Sequence, residues 1–249
     1  MNLFYSPEIR LDTIHAMLPE EESAHALRVL RMKTGNTIFI TNGKGMFYEG
    51  QITNPHPKKC EVKILRTITP PSQHTFHLTI AIAPTKSIDR FEWFLEKATE
   101  IGCNEIIPIQ CSHSERTSIK AVRLNKILVA AMKQCLKPQL PLLHELTDFK
   151  KFISSTKNFS GQKLIGHIPE LDENEFPPKN PEGVSLQSIY RKGENTLISI
   201  GPEGGFSEEE MQLATKSGFK TIRLGNSRLR VETAGVMACS VINAINSFC

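Results

Sequence analysis

The sequence predicts two parts in tandem: a small, mostly β module over residues 1–70, then an α/β domain with a mostly parallel sheet over residues 74–249. Three observations predict this. Thr69-Pro70-Pro71-Ser72-Gln73 has the composition of a linker. Before it, short β-rich runs are joined by tight-turn residues. After it, apolar strand-like runs alternate with amphipathic helical runs, the pattern of a parallel sheet with crossover helices.

In the first part, Pro19 to Leu30 reads as a short helix with Glu20, Glu21 and Glu22 in its first turn and Ala24, Leu27 and Leu30 on one face. Strands are expected at Thr37 to Thr41, Met46 to Thr53 and Cys60 to Ile68, with Asn42-Gly43-Lys44-Gly45 as a hairpin turn. Charge is unevenly spread. Between Glu22 and Glu49 there is no Asp or Glu, but there are His25, Arg28, Arg31, Lys33 and Lys44. Such clustering suits nucleic acid, although a solvated face gives the same pattern.

In the second part, a strand from Phe76 to Ala83 leads into a helix from Ile88 to Ile101. Phe91, Phe94, Leu95, Ala98 and Ile101 form its apolar face, and Gly102 ends it. Glu105 to Gln110 is the next strand. Ser118 to Leu136 is a long helix with Leu124, Ile127, Leu128, Ala131 and Cys135 on one side. Lys120, Arg123, Lys126, Lys133 and Lys137, with Arg116 just before, lie on the other. Arg116 to Lys137 holds no acid, whereas ordinary surface helices mix signs, so this stripe is a second candidate RNA face. A short helix at Asp148 to Ser155 and a strand at Lys163 to His167 follow. Pro169 to Gly193 reads as a long surface loop with at most a short helix near Ser185 to Tyr190.

The last third is organised around two glycine-bearing turns. Leu197 to Ile200 runs into Gly201-Pro202-Glu203-Gly204-Gly205. Thr221 to Leu224 runs into Gly225-Asn226-Ser227-Arg228-Leu229-Arg230, and a final helix is expected from Val231 to Ser247. The helix between the turns carries a capping box at Ser207 and Glu210, a hydrophobic staple of Phe206 on Met211, and Gly218 at its C-terminal stop. Glycine-rich turns between strand and helix suggest a phosphate cradle, but neither standard spacing is present. Glu203, Glu208, Glu209 and Glu210 would compete with a phosphate for the helix dipole. A cationic ligand with exposed polar edges fits better, because glycines let backbone groups approach it closely.

Composition narrows the chemistry. The chain has 249 residues, 39% hydrophobic and 22% charged, as in soluble globular proteins, with a formal net charge of +4. Its six cysteines form no C-x-x-C pair and no zinc spacing, and no H-E-x-x-H is present, so no metal is expected. There is no G-x-S-x-G elbow and no phosphate loop for phosphoryl transfer. The N-terminus, MNLFYSPEIR, lacks the regions of a signal peptide, and no run approaches a membrane span. A cytoplasmic protein is expected.

The pair IGPEGGFSEEE and LGNSRLRVETA resembles the RsmE-type 16S rRNA methyltransferases of the SPOUT superfamily. His25-Ala-Leu-Arg28-Val-Leu-Arg31 and Asp89-Arg90-Phe-Glu-Trp93-Phe-Leu-Glu-Lys97-Ala-Thr99-Glu100-Ile-Gly102 resemble further stretches of that family. Many members read Leu-Gly-Pro-Arg-Ile-Leu-Arg at the second turn. This chain has Asn226-Ser227-Arg228, which displaces an arginine by one place.

The resemblance implies a PUA-like RNA-binding β-barrel followed by a trefoil-knotted α/β methyltransferase domain that acts as a homodimer. It implies methylation of N3 of a uridine in 16S rRNA, within the 30S subunit, with S-adenosyl-L-methionine as donor. On that reading Ile200, Gly201, Gly205, Leu224, Gly225, Asn226, Leu229 and Thr233 hold the donor, Arg230 stabilises charge on the uracil oxygens, and Glu232 orients Arg230 or accepts a proton. RNA contacts are expected from Arg28, Arg31, Lys33, Arg90, Lys97, Arg116, Lys120 and Arg123. Two alternatives stay open: a SPOUT enzyme acting on another RNA such as tRNA, and a non-catalytic RNA-binding assembly factor. The final helix is apolar on most of its circumference, and Gly235 with its alanines could meet a second copy.

Overall fold

Alternating apolar residues fix the first sheet. A computed structural model of the chain describes residues 2–70, 76–167 and 183–248. It divides into two units, residues 1–73 with 128–140, and residues 74–127 with 141–249. The predicted linker falls partly outside the described residues, and so does most of the predicted loop at 169–193.

In the first unit the elements are β1 (Leu3–Tyr5), β2 (His15–Met17), α1 (Glu20–Ala24), β3 (Thr37–Thr41), β4 (Phe47–Asn54) and β5 (Glu61–Ile68). They form a five-stranded sheet in the order β1-β3-β4-β5-β2, antiparallel except for the β1–β3 pair. The expected barrel is thus a curled sheet with β1 and β2 at its two edges. Ile38 and Ile40 of β3, Tyr48 and Ile52 of β4 and Val62 of β5 point inward onto Phe4, Ile9, Leu18, Ala26 and Cys60. Their period of two is what buries one face. The hairpin turn forms as expected, with Gly43 and Gly45 at φ 75° and 93°. The buried Asn42 side chain donates to the Ile9 carbonyl at 3.1 Å and accepts from the Lys44 N–H at 2.9 Å.

The helix expected over 19–30 differs in detail. After α1 the chain continues as a π-helical turn, His25–Val29, and Arg31 at φ 53° stops it. The wider turn rotates the inward face: Ala26 is fully buried, while Leu27 and Leu30 are only partly covered. Glu22 is buried too, held by Lys133 Nζ at 2.6 Å. Residues 128–140 pack with this unit because their backbone is claimed by the hairpin. Pro138 O accepts from Thr41 Oγ1 and Gly45 N–H, each at 3.0 Å, and Leu140 N–H donates to Gly43 O at 2.9 Å.

The second unit contains β6 (Leu78–Ile82), α2 (Ile88–Ile101), β7 (Glu105–Gln110), the start of α3 (Ala121–Gln134), β8 (Leu142–Leu143), β9 (Thr147–Asp148), α4 (Phe149–Ser155), β10 (Gln162–Gly166), α5 (Leu186–Ile189), β11 (Thr196–Ile200), α6 (Glu208–Lys216), β12 (Lys220–Ile222) and α7 (Val231–Phe248). The sheet is parallel throughout, in the order β12-β10-β11-β6-β7-β8, with β9 also on β7. Every residue of β6 and β11 is buried, as expected for strands covered on both faces. One face packs Ala81, Ile109, Ile165 and Leu197 against Phe149, Phe152, Phe206 and Phe219.

α7 meets the other face through a close approach. A Cβ on Gly235 would lie 2.6 Å from the Phe94 ring and 2.9 Å from Ile82 Cδ1. This corrects the expectation that Gly235 meets a second copy: it is buried against the helix and strand of its own unit. The helix ends follow their sequence signals. Asp148 caps α4 through bonds from the Lys150 and Lys151 N–H groups, and the Ser207–Glu210 capping box is complete. β12 is shorter than expected because Arg223 turns to a new partner: its N–H donates to Val184 O and its C=O accepts from Leu186 N–H.

Candidate functional site

Sheet order locates the site. β6 and β11 are neighbours although the chain builds β7 to one side of them and β10 and β12 to the other. The strand order therefore reverses between β6 and β11, and in open parallel sheets ligands bind at the carboxyl ends of strands around such a point. Ile200 and Ile222 both register on Gly166, one from each side. The two glycine turns thus leave the same edge of the sheet one strand apart, roughly 10 Å. Gly166 has no side chain to fill the gap. A Cβ there would lie 3.2 Å from Ile200 Cδ1 and 3.6 Å from Leu224 Cδ1.

The first turn is braced by side chains the sequence did not connect to it. Ala83 N–H donates to Ile200 O at 3.0 Å, extending β6 alongside β11. Glu203 Oε1 accepts from Lys86 N–H at 3.0 Å. Arg116 donates from Nε to Thr85 O at 2.9 Å and from Nη2 to Lys86 O at 2.6 Å. The carboxylate of buried Glu210 closes the capping box on Ser207 N–H and also accepts from Ser112 N–H at 2.8 Å. Within the turn, Gly205 takes φ 74° and its N–H bonds to Pro202 O at 2.9 Å. Cys111, beside this network, is no nucleophile: burial, then Glu210 and Asp148, push its thiol well above the usual range.

The second turn is open. Gly225 has a single neighbour near a would-be Cβ, Leu229 Cδ1 at 4.0 Å. Asn226 is exposed and accepts from Arg223 Nη1, while Arg223 Nε donates to Gly183 O at 2.9 Å. Arg230 is exposed, and its carbonyl accepts from Ala234 N–H at 2.8 Å as α7 begins. Glu232 is 7% exposed, and its Oε2 is buried with no hydrogen-bond partner. Its ion-pair neighbour is Arg90, Nε to Oε1 at 3.9 Å. The expected pairing of Glu232 with Arg230 is replaced by this one because residues two apart at a helix start point to different sides. Thr233 is half-buried in the same turn.

The expected RNA contacts divide into two groups. Arg28, Arg31, Lys33 and Lys120 are exposed. Arg116 serves the loop after β6, as above. Arg123 is bound by Glu92 at 2.6 Å with Asp89 at 4.0 Å, and Lys97 lies between Glu96 at 2.7 Å and Glu100 at 2.9 Å. Those two carboxylates hold the Lys97 ammonium above its usual range. The stripe on α3 has one sign along its own helix, but acids on α2 answer Arg123 and Glu22 answers Lys133. Among the described residues no cluster suits a metal ion, and no helix is long and apolar enough to cross a membrane.

Comparison with known proteins gives the family and the fold. A family model described as an RNA methyltransferase domain matches residues 72–243, and one described as an RNA methyltransferase PUA domain matches residues 18–65. The ribosomal RNA small subunit methyltransferase E of Mesomycoplasma hyopneumoniae is 33% identical over 217 residues, 84% of this chain and 86% of that one. A crystal structure of a probable rRNA-methyltransferase from Porphyromonas gingivalis superposes with a TM-score of 0.87 at 38% identity, covering 99% of each chain. A methyltransferase of Legionella pneumophila, solved with the bound cofactor SAM, superposes with a TM-score of 0.83 at 25% identity over 98% of this chain and 97% of that one.

Proposed function

Because the chain belongs to the RNA methyltransferase family, alongside the ribosomal RNA small subunit methyltransferase E proteins, we propose that it methylates small-subunit ribosomal RNA with S-adenosylmethionine as donor, at N3 of a uridine. The observation that carries this reading is the pair of glycine turns leaving the same end of the parallel sheet from β11 and β12, on either side of Gly166 of β10, with the first turn beside the point where the strand order reverses.

The residues present fit that donor. The space at Gly205 and Gly225 is open, and an orphaned carboxylate oxygen stands at Glu232. A buried carboxylate with one oxygen lacking a hydrogen-bond partner favours a cationic ligand and disfavours a phosphate. Ile200, Gly201 and Gly205 from the first turn, with Leu224, Gly225, Asn226, Leu229 and Thr233 from the second, hold it. When bound it supplies a methyl group on a sulfonium, already activated for displacement.

The chain has two tasks beyond holding it. It must align the acceptor nitrogen, and it must favour loss of the N3 proton, which leaves negative charge on the uracil oxygens. Arg230, exposed beside the open turn, stabilises that charge. Glu232, held by Arg90, either fixes the donor's positive end or takes the proton. RNA is gripped through phosphates by Arg28, Arg31 and Lys33 of the first unit and by Lys120 of the second. Such a substrate, 16S rRNA within the 30S subunit, is cytoplasmic. The trefoil knot and a homodimer belong to the same reading. The dimer face is the part of α7 left uncovered by its own unit, where Val236 and Val241 are half-buried and Met237 is 37% exposed.

Gly225→Val is the cleanest test. A Cβ at 225 would meet only Leu229 Cδ1, at 4.0 Å, so the variant is expected to keep its melting temperature and to lose S-adenosylmethionine binding by calorimetry. At Gly201 an added Cβ would meet the Phe206 ring at 3.0 Å, so loss of binding there mixes with strain. A folded Gly225→Val that binds the donor as the parent does removes this site from contention. Methyl-labelled donor with 30S particles and with tRNA separates the ribosomal substrate from another RNA, and absence of labelling with both returns the assembly-factor reading.

A further inference from the structure

We propose that His113 is a positioning residue for the methyl donor, acting as a latch that fixes the first glycine turn. This rests on the reading of the site above. The His113 ring nitrogen Nδ1 lies 3.0 Å from Gly204 O and 3.2 Å from Gly205 O. Both partners are carbonyl oxygens, which only accept, so Nδ1 carries the proton and one N–H serves two acceptors. The contact is possible because residue 204 has no side chain: a Cβ there would lie 3.0 Å from His113 Cβ. Glycine at 204 and histidine at 113 are therefore one device. The small residue allows the loop to approach, and the imidazole fixes where the loop's carbonyls point.

Turning these two carbonyls to one side determines the orientation of the peptide planes on either side of Gly205, whose left-handed backbone would otherwise be among the freest in the turn. On the reading above, those peptide planes form the wall of the donor site at Gly205. The base of the latch is itself rigid. Cys111 N–H donates to Ser114 Oγ at 2.9 Å, Ser112 N–H is held by buried Glu210, and Arg116 grips two carbonyls of the loop after β6. His113 thus ties the Gly204–Gly205 end of the turn, where a Cβ on Gly205 would meet nothing within 4 Å, to the sheet edge.

The test uses three variants of the full chain and two readouts. In His113→Asn the side-chain N–H₂ stands where Nδ1–H stood, so this variant keeps the hydrogen-bond donor. His113→Gln places its donor further out, and His113→Ala has none. Amide hydrogen exchange at Gly205, measured without ligand, reads the turn alone. Calorimetry with S-adenosylmethionine reads its consequence. We expect faster exchange at Gly205 and affinity weakened by about fivefold or more in His113→Ala and His113→Gln, with both restored toward the parent in His113→Asn. Unchanged exchange in His113→Ala overturns the latch. Faster exchange with unchanged affinity overturns its role in positioning the methyl donor. A His113→Asn variant as impaired as His113→Ala shows that the ring's bulk, and not its N–H, is what matters, which also overturns the proposal. A parent protein that does not bind S-adenosylmethionine defeats the reading of the site, and the exchange data still report whether the latch exists.

Discussion

Replacing Gly235 with alanine adds one methyl group where the structure has no room for it. The new Cβ would lie 2.6 and 2.7 Å from two Phe94 ring atoms and 2.9 Å from Ile82 Cδ1, all closer than real carbon contacts come. Phe94 and Ile82 are fully buried, so neither can swing into solvent. Overpacking costs about 1–3 kcal/mol, and three contacts under 3.0 Å onto fully buried neighbours put this site at the upper end, about 2–3 kcal/mol. Alanine recovers up to about 1 kcal/mol from its better helix propensity. A net loss of about 1–2 kcal/mol follows, or a fall in melting temperature of about 2–8 °C for a domain of this size. The assay is urea unfolding followed by fluorescence. The chain has one tryptophan, Trp93, adjacent to Phe94 on α2, so the signal reports the unit under test. A double-mutant cycle sharpens the result. Phe94→Leu removes two of the three close contacts and leaves Ile82 in place, so Gly235→Ala should cost less in that background, a coupling of about 1 kcal/mol or more. An unchanged urea midpoint for Gly235→Ala alone, or the same penalty in both backgrounds, refutes the packing argument.

Other parts of the molecule give three further expected outcomes. Glu105 accepts hydrogen bonds from His77 and Thr79 and is joined to His144, and these bonds, His77 first, hold its carboxyl at about 2 against an ordinary 4.5. A depressed carboxyl stabilises the fold above its unfolded value, so up to about 3 kcal/mol is lost as pH falls from 4.5 through 2, and Glu105→Gln should flatten the stability curve measured across that window. Glu210→Ala removes the group that joins Ser112 to the start of α6; it should cost about 1–3 kcal/mol in urea unfolding, whereas the exposed neighbour Glu209→Ala should cost a few tenths. Arg28→Ala with Arg31→Ala should weaken RNA binding and reduce the salt slope of log affinity by about one for each phosphate no longer engaged, read by titration at several salt concentrations, and an unchanged slope would remove these residues from the interface.

Local signals in the sequence determined the local structure. The Ser207–Glu210 box, Gly102, the Asn42–Gly45 turn and the strands from 37 to 41 and 105 to 110 were legible because each depends on neighbours within a few residues. The two glycine turns were legible as a pair, and their residue types already favoured a cation over a phosphate. Tertiary structure decided which residues meet across the chain. The stripe on α3 read as one-signed because the sequence does not show that Glu92 and Glu22 face it. Arg116 read as an RNA contact because its backbone acceptors, Thr85 and Lys86, lie about thirty residues away in the chain. Glu232 was assigned to Arg230 by proximity in sequence, whereas helix geometry gives it to Arg90. Gly235 read as an outward small residue, and only the packing of α7 on Phe94 and Ile82 turned it inward. The division has one physical reason: caps, turns and periodicity are set by short-range backbone sterics and hydrogen bonds, while the pairing of charges and the facing of helices depend on strand order, which no local interaction encodes.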